Sequence, residues 1–365
     1  MTVAFFIAAG FLAVHITSVV VVAMRRAVPR DLTVVRGRIS LLRPVCGSEP
    51  FDMITLSSSF NQDWPDYEIL FCAASEQDSA VPLVRRLIDE HPGHSARLLI
   101  GNERPTGNPK LDNLVKGWMT ATGDWVCMTD SNLLLTENYL TVLAQTWDAQ
   151  TGLVSCPAWG SQPEGWAGAL ECAFLNTNQA RLQFFADSLG IGFAQGKSLF
   201  WNRQILDSVG GPVVLGRDLA EDVASTKLVH RLGLQVKLPA KPFTQPIGKR
   251  TFKSVWDRQL RWSRIRRDGF PWLFLAEPLN GPVAPVLLLA LGGGPTWLAA
   301  FLLIWYWAEV ALSRWNGWPA TWLDIVMLPL RDLLIYALWL ATFLRRGIEW
   351  RGHTLPAPRQ FGASL

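Results

Sequence analysis

The sequence predicts an α/β domain with a mainly parallel central sheet, carried between N-terminal and C-terminal transmembrane helices and followed by an amphipathic interfacial helix. Three observations predict it. Short apolar runs alternate with helical patterns between residues 33 and 248, the signature of strands joined by crossover helices. Uncharged runs long enough to cross a bilayer stand at the N-terminus and in the last quarter of the chain. A stretch crowded with arginine and tryptophan joins the domain to the later runs.

Taken in order, residues 1–24 contain no Asp, Glu, Lys or Arg. A helix of that length, rising ~1.5 Å per residue, spans a hydrocarbon core of ~30 Å. It has no basic leading segment and no small-residue cleavage site, so residues 1–26 read as an anchor rather than a signal peptide. Arg25, Arg26 and Arg30 follow at once, and the positive-inside rule places them, and the domain after them, in the cytosol.

Within 33–248 the apolar runs Ile39–Leu42, Tyr67–Ala73, Ala96–Ile100 and Trp125–Thr129 read as strands, and Val81–Glu90 reads as a helix with charge on one side. Ligands of parallel sheets bind beyond the carboxyl ends of the strands, which directs attention to acidic residues there.

From 249 to 275 the character changes. Lys249, Arg250, Lys253, Arg258, Arg261, Arg264, Arg266 and Arg267 are interleaved with Phe252, Val255, Trp256, Leu260, Trp262 and Ile265. This is the composition of an amphipathic helix lying on an anionic membrane surface. Pro278–Ala308 is again uncharged and is broken by Gly292, Gly293, Gly294 and Pro295, either one kinked span or a re-entrant hairpin. Ile325–Leu344 is a further span that contains Arg331 beside Asp332, a costly pair inside a membrane. Arg345 and Arg346 close the membrane region 278–346 and place the tail, 347–365, in the cytosol, with an even number of spans expected.

Composition narrows the chemistry. Hydrophobic residues make up 49% of the 365 and charged residues 18%, and the deficit of charge is concentrated in the runs just described. A net charge of +4 does not point to nucleic acid. Cys46, Cys72, Cys127, Cys156 and Cys172 form no CxxC pair and read as small residues in a reducing compartment. His15, His91, His94, His230 and His353 are scattered, with no HExxH. There is no Walker motif, and Gly190-Ile-Gly lacks the third glycine of a dinucleotide fingerprint.

Three elements carry chemistry. Asp130 ends the strand Trp125–Thr129, and Asn132 lies two residues on; in an extended chain the two side chains point the same way, as oxygen ligands of Mg²⁺ or Mn²⁺ would. A cation there would neutralise a leaving diphosphate, although an aspartate at a strand end is also common in turns. Asp222, after Glu221, is a candidate general base for a hydroxyl nucleophile, and equally a residue type favoured at a helix start. In Arg258-Gln-Leu-Arg261-Trp262, Arg261 suits a diphosphate and Trp262 suits a sugar or apolar acceptor.

The order of these elements, with Asp78 after the strand Tyr67–Ala73, is the D, D, D, (Q/R)xxRW series of family-2-like glycosyltransferases. Over nearly its whole length the sequence resembles the ceramide glucosyltransferases, which make glucosylceramide from UDP-glucose and ceramide. The stretches that carry the resemblance begin at Leu41 (Leu-Leu-Arg-Pro-Val-Cys-Gly), Asp63 (Asp-Trp-Pro-Asp-Tyr-Glu-Ile-Leu), Asn108 (Asn-Pro-Lys-Leu-Asp-Asn-Leu), Thr129 (Thr-Asp-Ser-Asn), Gly196 (Gly-Lys-Ser), Leu219 (Leu-Ala-Glu-Asp), Arg258 (Arg-Gln-Leu-Arg-Trp) and Ala276 (Ala-Glu-Pro).

The resemblance implies a GT-A-like nucleotide-diphospho-sugar transferase domain and inverting transfer of glucose to the primary hydroxyl of ceramide. It implies that Asp78 contacts uridine, Lys110 reaches the diphosphate or sugar, and Asp130 holds metal and diphosphate with Asn132 as the second ligand. It makes Asp222 the base. Arg258, Arg261 and Trp262 would hold the diphosphate at the membrane, and Gly196, Lys197, Ser198 and Glu221 would line the acceptor side. The implied partners are UDP-glucose, ceramide and the bilayer. The implied location is a cytosolic membrane face, the inner membrane of a bacterium or the Golgi of a eukaryote.

Two departures qualify this. The metal motif is Asp-Ser-Asn instead of Asp-x-Asp, and the box opens on Arg258 where processive synthases usually carry Gln, which favours single-sugar transfer. Two rivals are disfavoured. The related transferase that adds N-acetylglucosamine to a hopanoid polyol lacks the Pro of Asn-Pro-Lys and keeps Asp-Ser-Asp, and UDP-galactose or UDP-glucuronate are further donors the residues do not exclude. A non-enzymatic scaffold would be expected to lose Asp130, Asp222 or the Arg-Trp box, and all are present.

Overall fold

A computed structural model describes residues 2–25, 34–292, 294–344, 347–350 and 353–355. Helix α1 (Thr2–Ala23) opens the chain, followed by β1 (Ile39–Pro44), α2 (Asp52–Ser57), β2 (Tyr67–Ala73), α3 (Val81–Glu90), β3 (Ala96–Ile100), α4 (Pro109–Thr120) and β4 (Trp125–Thr129). Next come α5 (Tyr139–Thr146), β5 (Thr151–Ser155), β6 (Ala158–Glu164), α6 (Gly165–Ala173), a π-helical segment (Phe174–Ala180) and α7 (Arg181–Ser188). β7 (Ser198–Asn202), α8 (Arg203–Asp207), α9 (Glu221–Arg231), β8 (Gln235–Lys237) and β9 (Phe243–Lys249) complete the mixed part. The rest is α10 (Phe252–Gly269), α11 (Pro271–Ala276), α12 (Val283–Gly292), α13 (Pro295–Asn316), α14 (Trp322–Thr342) and the short pair β10 (Ile348–Trp350) and β11 (His353–Leu355).

Two compact units divide these elements. One comprises Arg26–Ala158 and Ala186–Pro246; the other comprises Met1–Arg25, Trp159–Phe185 and Ile247–Leu365. Residues 159–185, inside the stretch expected to be one soluble domain, therefore group with the helical elements.

The α/β unit is built on a seven-stranded sheet in the order β3-β2-β1-β4-β7-β5-β8. β1 pairs in parallel with β2 and β4, β2 with β3, and β5 with β8, whereas β7 runs antiparallel to both β4 and β5. The sheet is thus mixed and mostly parallel. β1, β2 and β4 are almost wholly buried, which is why they read as continuous apolar runs instead of alternating ones. Ile39, Leu41, Cys127, Leu140, Val154 and Phe200 form one core, and Ile69, Phe71, Val84 and Leu87 form another. The parallel strands bring the carboxyl ends of β1, β2 and β4 to one edge, and antiparallel β7 begins at that same edge, opposite the end of β4, with Ser198 facing Thr129.

In the helical unit three helices, Val3–Ala23, Pro295–Asn316 and Trp322–Thr342, are long and apolar enough to cross a membrane. Pro271–Asn280 and Val283–Gly292 form a further pair bent by 50°, so the count rises to four if that pair is one broken span. Two sequence expectations change here. The uncharged run 278–308 is divided between helices: α12 ends at Gly292, and α13, itself long and apolar enough to cross, extends past Ala308 through Glu309. A chain that starts outside and ends in the cytosol would cross an odd number of times, so an even number does not follow from that orientation; the candidate helices number three, or four with the bent pair. Arg26, Arg30, Arg345 and Arg346, and most of the tail 347–365, lie outside the described residues.

Glu309 is buried and reachable because it meets a partner on α14. Arg331 donates to both Glu309 oxygens at 3.0 and 3.1 Å and to Asp332 Oδ1 at 2.7 Å, and its Nη1 reaches Thr177 Oγ1 at 2.6 Å in the π-helical segment. All three charged residues are almost fully buried. α10 begins at a capping box in which Thr251 and Ser254 satisfy each other's backbone N–H groups. Its Val255, Trp256 and Leu260 pack with Leu170 and Phe174 of the α6 region and Leu328 of α14, so part of its apolar face is covered by protein.

Candidate active site

The catalytic candidates of the α/β unit converge at the strand-end edge through three short motifs, each placed by local chemistry. Asn108 caps α4: its Oδ1 accepts from the backbone N–H of Lys110 and Leu111, and Pro109 occupies the first helical position, where its missing donor costs nothing. Lys110 is thereby fixed in the first turn. Asn108 also reaches Leu219 O at 3.5 Å, which ties this turn to the segment before α9. Glu221 and Asp222 stand in the first turn of α9, where a helix dipole favours negative charge. Asp130 follows β4, and its backbone N–H donates to Lys197 O at 3.1 Å, extending the β4–β7 pairing by one step.

These segments meet on one ammonium group. Lys110 Nζ lies 2.6 Å from Asp130 Oδ1, 2.6 Å from Glu221 Oε1 and 2.8 Å from Gly196 O. Three donors meet three acceptors, which is all an ammonium can offer. The backbone N–H of Gly196 in turn donates to Asp222 Oδ2 at 2.9 Å. A Cβ on Gly196 would fall 2.8 Å from Glu221 Oε1 and 3.0 Å from Lys110 Nζ, so the glycine is there for close approach. Lys197 Nζ approaches Asp130 Oδ2 at 3.1 Å and Asn132 Oδ1 at 3.1 Å.

The electrostatics separate the carboxylates. Burial alone would raise Asp130, but Lys110 and Lys197 on its two oxygens outweigh burial and hold it well below the ordinary carboxylate range. Burial likewise disfavours charge on Lys110, and Asp130 and Glu221 more than compensate, holding it protonated. Asp222 goes the other way. Burial, with the Glu221 carboxylate beside it, pushes its carboxyl up to about 6 despite the pull of Lys110 and the N–H groups of Gly196 and Val223. A carboxylate with that value is mostly ionised near neutrality and still basic enough to take a proton.

The other predicted residues are placed as follows. Asp78 lies between β2 and α3, its Oδ1 accepting from Gly47 N and Ala80 N at 2.9 Å each, away from the bonds of the lysine cluster among the described residues. Ser198 is fully buried and bonded to Tyr139 Oη at 2.7 Å, within a hydroxyl chain that continues to Thr129. Arg258, Arg261 and Trp262 belong to α10 in the helical unit. There Arg258 Nη1 meets buried Glu171 Oε1 at 2.7 Å, and Trp262 packs against Cys172, Leu175 and Ile247.

One residue escaped the sequence reading. Arg43, at the end of β1, is fully buried, and its Nη2 donates to Thr55 O, Ser131 O and Leu133 O at 2.8–3.1 Å. It holds the loop that carries Asp130 and Asn132 in place. The signal was an arginine inside the apolar run Leu41-Leu-Arg-Pro-Val, since a charge buried there must find several acceptors.

The mixed, mostly parallel seven-stranded sheet has the GT-A-like fold of nucleotide-diphospho-sugar transferases. A mannosyltransferase of Pyrobaculum calidifontis, solved with GDP-Man and Mn²⁺, shares the fold with a TM-score of 0.53 at 19% identity, over 90% of this chain and 99% of that one. The family is narrower than the fold. The profile of Glycosyl transferase family 21 matches residues 1–360, and the chain belongs to that family. It is similar to ceramide glucosyltransferase 1 of Caenorhabditis elegans, 29% identical over 282 residues that cover 75% of this chain and 60% of that protein. It is also similar to ceramide glucosyltransferase 3 of the same organism, 25% identical over 330 residues that cover 86% of this chain and 72% of that one. The chain thus spans about 60% of the length of the first of these relatives.

Proposed function

We propose that this protein transfers glucose from UDP-glucose to the primary hydroxyl of ceramide with inversion, giving β-glucosylceramide at a cytosolic membrane face. The observation that carries the reading is the joining of Asp130, Lys110, Glu221, Gly196 and Asp222 into one bonded cluster at the edge of a GT-A sheet, in a chain whose family is shown. The sugar and acceptor are taken from the relatives and from the three helices able to hold the enzyme at a bilayer.

In this mechanism Asp222 takes the proton of the acceptor hydroxyl as its oxygen bonds to the anomeric carbon. The bond from that carbon to the diphosphate oxygen breaks, and UDP leaves with the electron pair. Lys110 supplies fixed positive charge where charge builds on the diphosphate, and Lys197 adds a second positive charge on a more flexible stem. Asp78 contacts the uridine, Glu221 holds Lys110 in place and lines the acceptor side with Gly196, and Arg258, Arg261 and Trp262 act on the diphosphate and acceptor as the resemblance assigns them. Mg²⁺ or Mn²⁺ suits the donor set of Asp130 and Asn132, two hard oxygens that the diphosphate would supplement, and when bound it would neutralise the leaving group.

The test is turnover of the purified protein in detergent with ceramide, offered UDP-glucose, UDP-galactose, UDP-glucuronate and UDP-N-acetylglucosamine in parallel, with lipid products read by mass. Hexosylceramide from UDP-glucose is expected. Transfer to a hopanoid polyol with none to ceramide would overturn the acceptor, and a different preferred donor would overturn the sugar.

A further inference from the structure

Asp130 Oδ2 and Asn132 Oδ1 are the two side-chain oxygens that suit a divalent cation, and one group already spans both. Lys197 Nζ sits 3.1 Å from each. A cation of the Mg²⁺ type binds such oxygens at ~2.1 Å, so an ammonium at that position and the ion cannot share them. Their like charges add to the steric conflict.

The two lysines on Asp130 are not equivalent. Lys110 is held by three short bonds, two to carboxylates and one to a backbone carbonyl. Lys197 lies farther from the pair, 3.1 Å from Asp130 Oδ2 and 3.1 Å from Asn132 Oδ1. Its backbone cannot shift, because Lys197 O accepts from Asp130 N and the next residue is already in register with β4. Its side chain, a point charge on a flexible four-carbon stem, is the part of the residue that would move.

We propose that Lys197 is an internal cation standing in the divalent-metal position between Asp130 and Asn132, and that it must leave those oxygens when Mg²⁺ or Mn²⁺ binds. The lysine therefore sets the metal affinity of the donor site. Displaced, it carries its charge toward the diphosphate that the metal accompanies. The second motif residue being Asn fits this scheme: a neutral amide holds a metal less strongly than a second aspartate, which would tilt the competition toward the metal. The inference rests on Asp130 and Asn132 forming the cation site in the proposed function.

Binding of Mn²⁺ to the purified full-length protein in detergent, followed by electron paramagnetic resonance of the free ion, tests it without turnover. Lys197→Met and Lys197→Gln should bind Mn²⁺ at least about tenfold more tightly than wild type, because a competing charge is removed from the ligands. Lys197→Arg should stay weak, and Asp130→Asn should abolish tight binding in the Lys197→Met background. Equal affinity in wild type and both neutral variants would overturn the proposal. A measurement on the wild-type protein stands beside these in case the variants do not fold. Mn²⁺ should increase acetylation of Lys197 by an amine-reactive reagent, read by peptide mass, and unchanged or reduced labelling would overturn the displacement. UDP binding, followed separately, reports on the donor-site reading, so failure of either conclusion is recognised by itself.

Discussion

Burial and the adjacent Glu221 carboxylate push the Asp222 carboxyl up to about 6, and this has a direct kinetic signature. In the proposed mechanism Asp222 is the base, and a base works only when ionised, so turnover should follow the ionised fraction of Asp222. With a midpoint of about 6, roughly one tenth is ionised at pH 5 and roughly nine tenths at pH 7, each unit of pH corresponding to ~1.36 kcal/mol. An unperturbed aspartate near ~3.9 would be more than nine tenths ionised at pH 5 and would show no such limb. The assay is kcat for glucosylceramide formation at saturating UDP-glucose and ceramide, in detergent micelles from about pH 4.5 to 8. Glu221→Gln removes a charge that raises Asp222 and should slide the limb to lower pH. Lys110→Met removes a charge that lowers it and should slide whatever activity remains to higher pH. A flat profile between pH 5 and 7, or a Glu221→Gln limb that moves upward, would refute the reasoning.

Further expectations concern other parts of the site and the helical unit. Asp222→Asn should reduce kcat by ~10²–10⁴-fold, the usual worth of a positioned base, while UDP affinity measured by calorimetry stays near wild type; near-normal turnover would remove Asp222 from the role. Gly196→Ala should lower both donor affinity and turnover, since its Cβ meets Glu221 Oε1 at 2.8 Å and Lys110 Nζ at 3.0 Å, and Asp222 receives its bond from the same backbone N–H. Unchanged kinetics would mean that the cluster is looser than drawn. Arg331→Ala should destabilise the protein by ~3–5 kcal/mol, because Glu309 and Asp332 are left buried without a counter-charge. Thermal unfolding in detergent should show a large loss of melting temperature that Arg331→Ala combined with Glu309→Gln partly recovers.

What was legible in the sequence follows the range of the interaction. Tyr67–Ala73, Ala96–Ile100, Trp125–Thr129 and the helix Val81–Glu90 appear with the boundaries read from local pattern, since buried parallel strands and an amphipathic helix each imprint their own period. β5, β7 and β8 were not read. β7 inserts antiparallel between β4 and β5, and nothing in Ser198–Asn202 announces which strands it will join. The site was legible as motifs but not as bonds. Asp130, Lys110 and Asp222 are brought together as the motif order implied, whereas the saturation of Lys110, the bridging by Lys197 and the burial of Ser198 depend on contacts between residues far apart in the chain, Lys197 and Asn132 by 65 positions and Lys110 and Gly196 by 86. Glu309 was missed for a simpler reason: it lies just beyond the uncharged run Pro278–Ala308, read as a kinked span or a re-entrant hairpin that stopped there.

The Arg331–Glu309–Asp332 group also constrains how the protein is delivered to its membrane. A charged residue at the middle of a lone crossing helix costs ~2.5–3.5 kcal/mol on the insertion scale. α13 carries Glu309 and reaches the bilayer first, with its counter-charge still one turn of loop and half a helix away. Gly317 ends α13 in the left-handed conformation, and Thr321 with Asp324 starts α14 only a few residues later, so the return is immediate. The two helices are therefore one cargo: a translocation machine that released α13 before α14 had arrived would set an unpaired acid into lipid, and a truncation between them should be cleared by quality control instead of yielding a shorter enzyme.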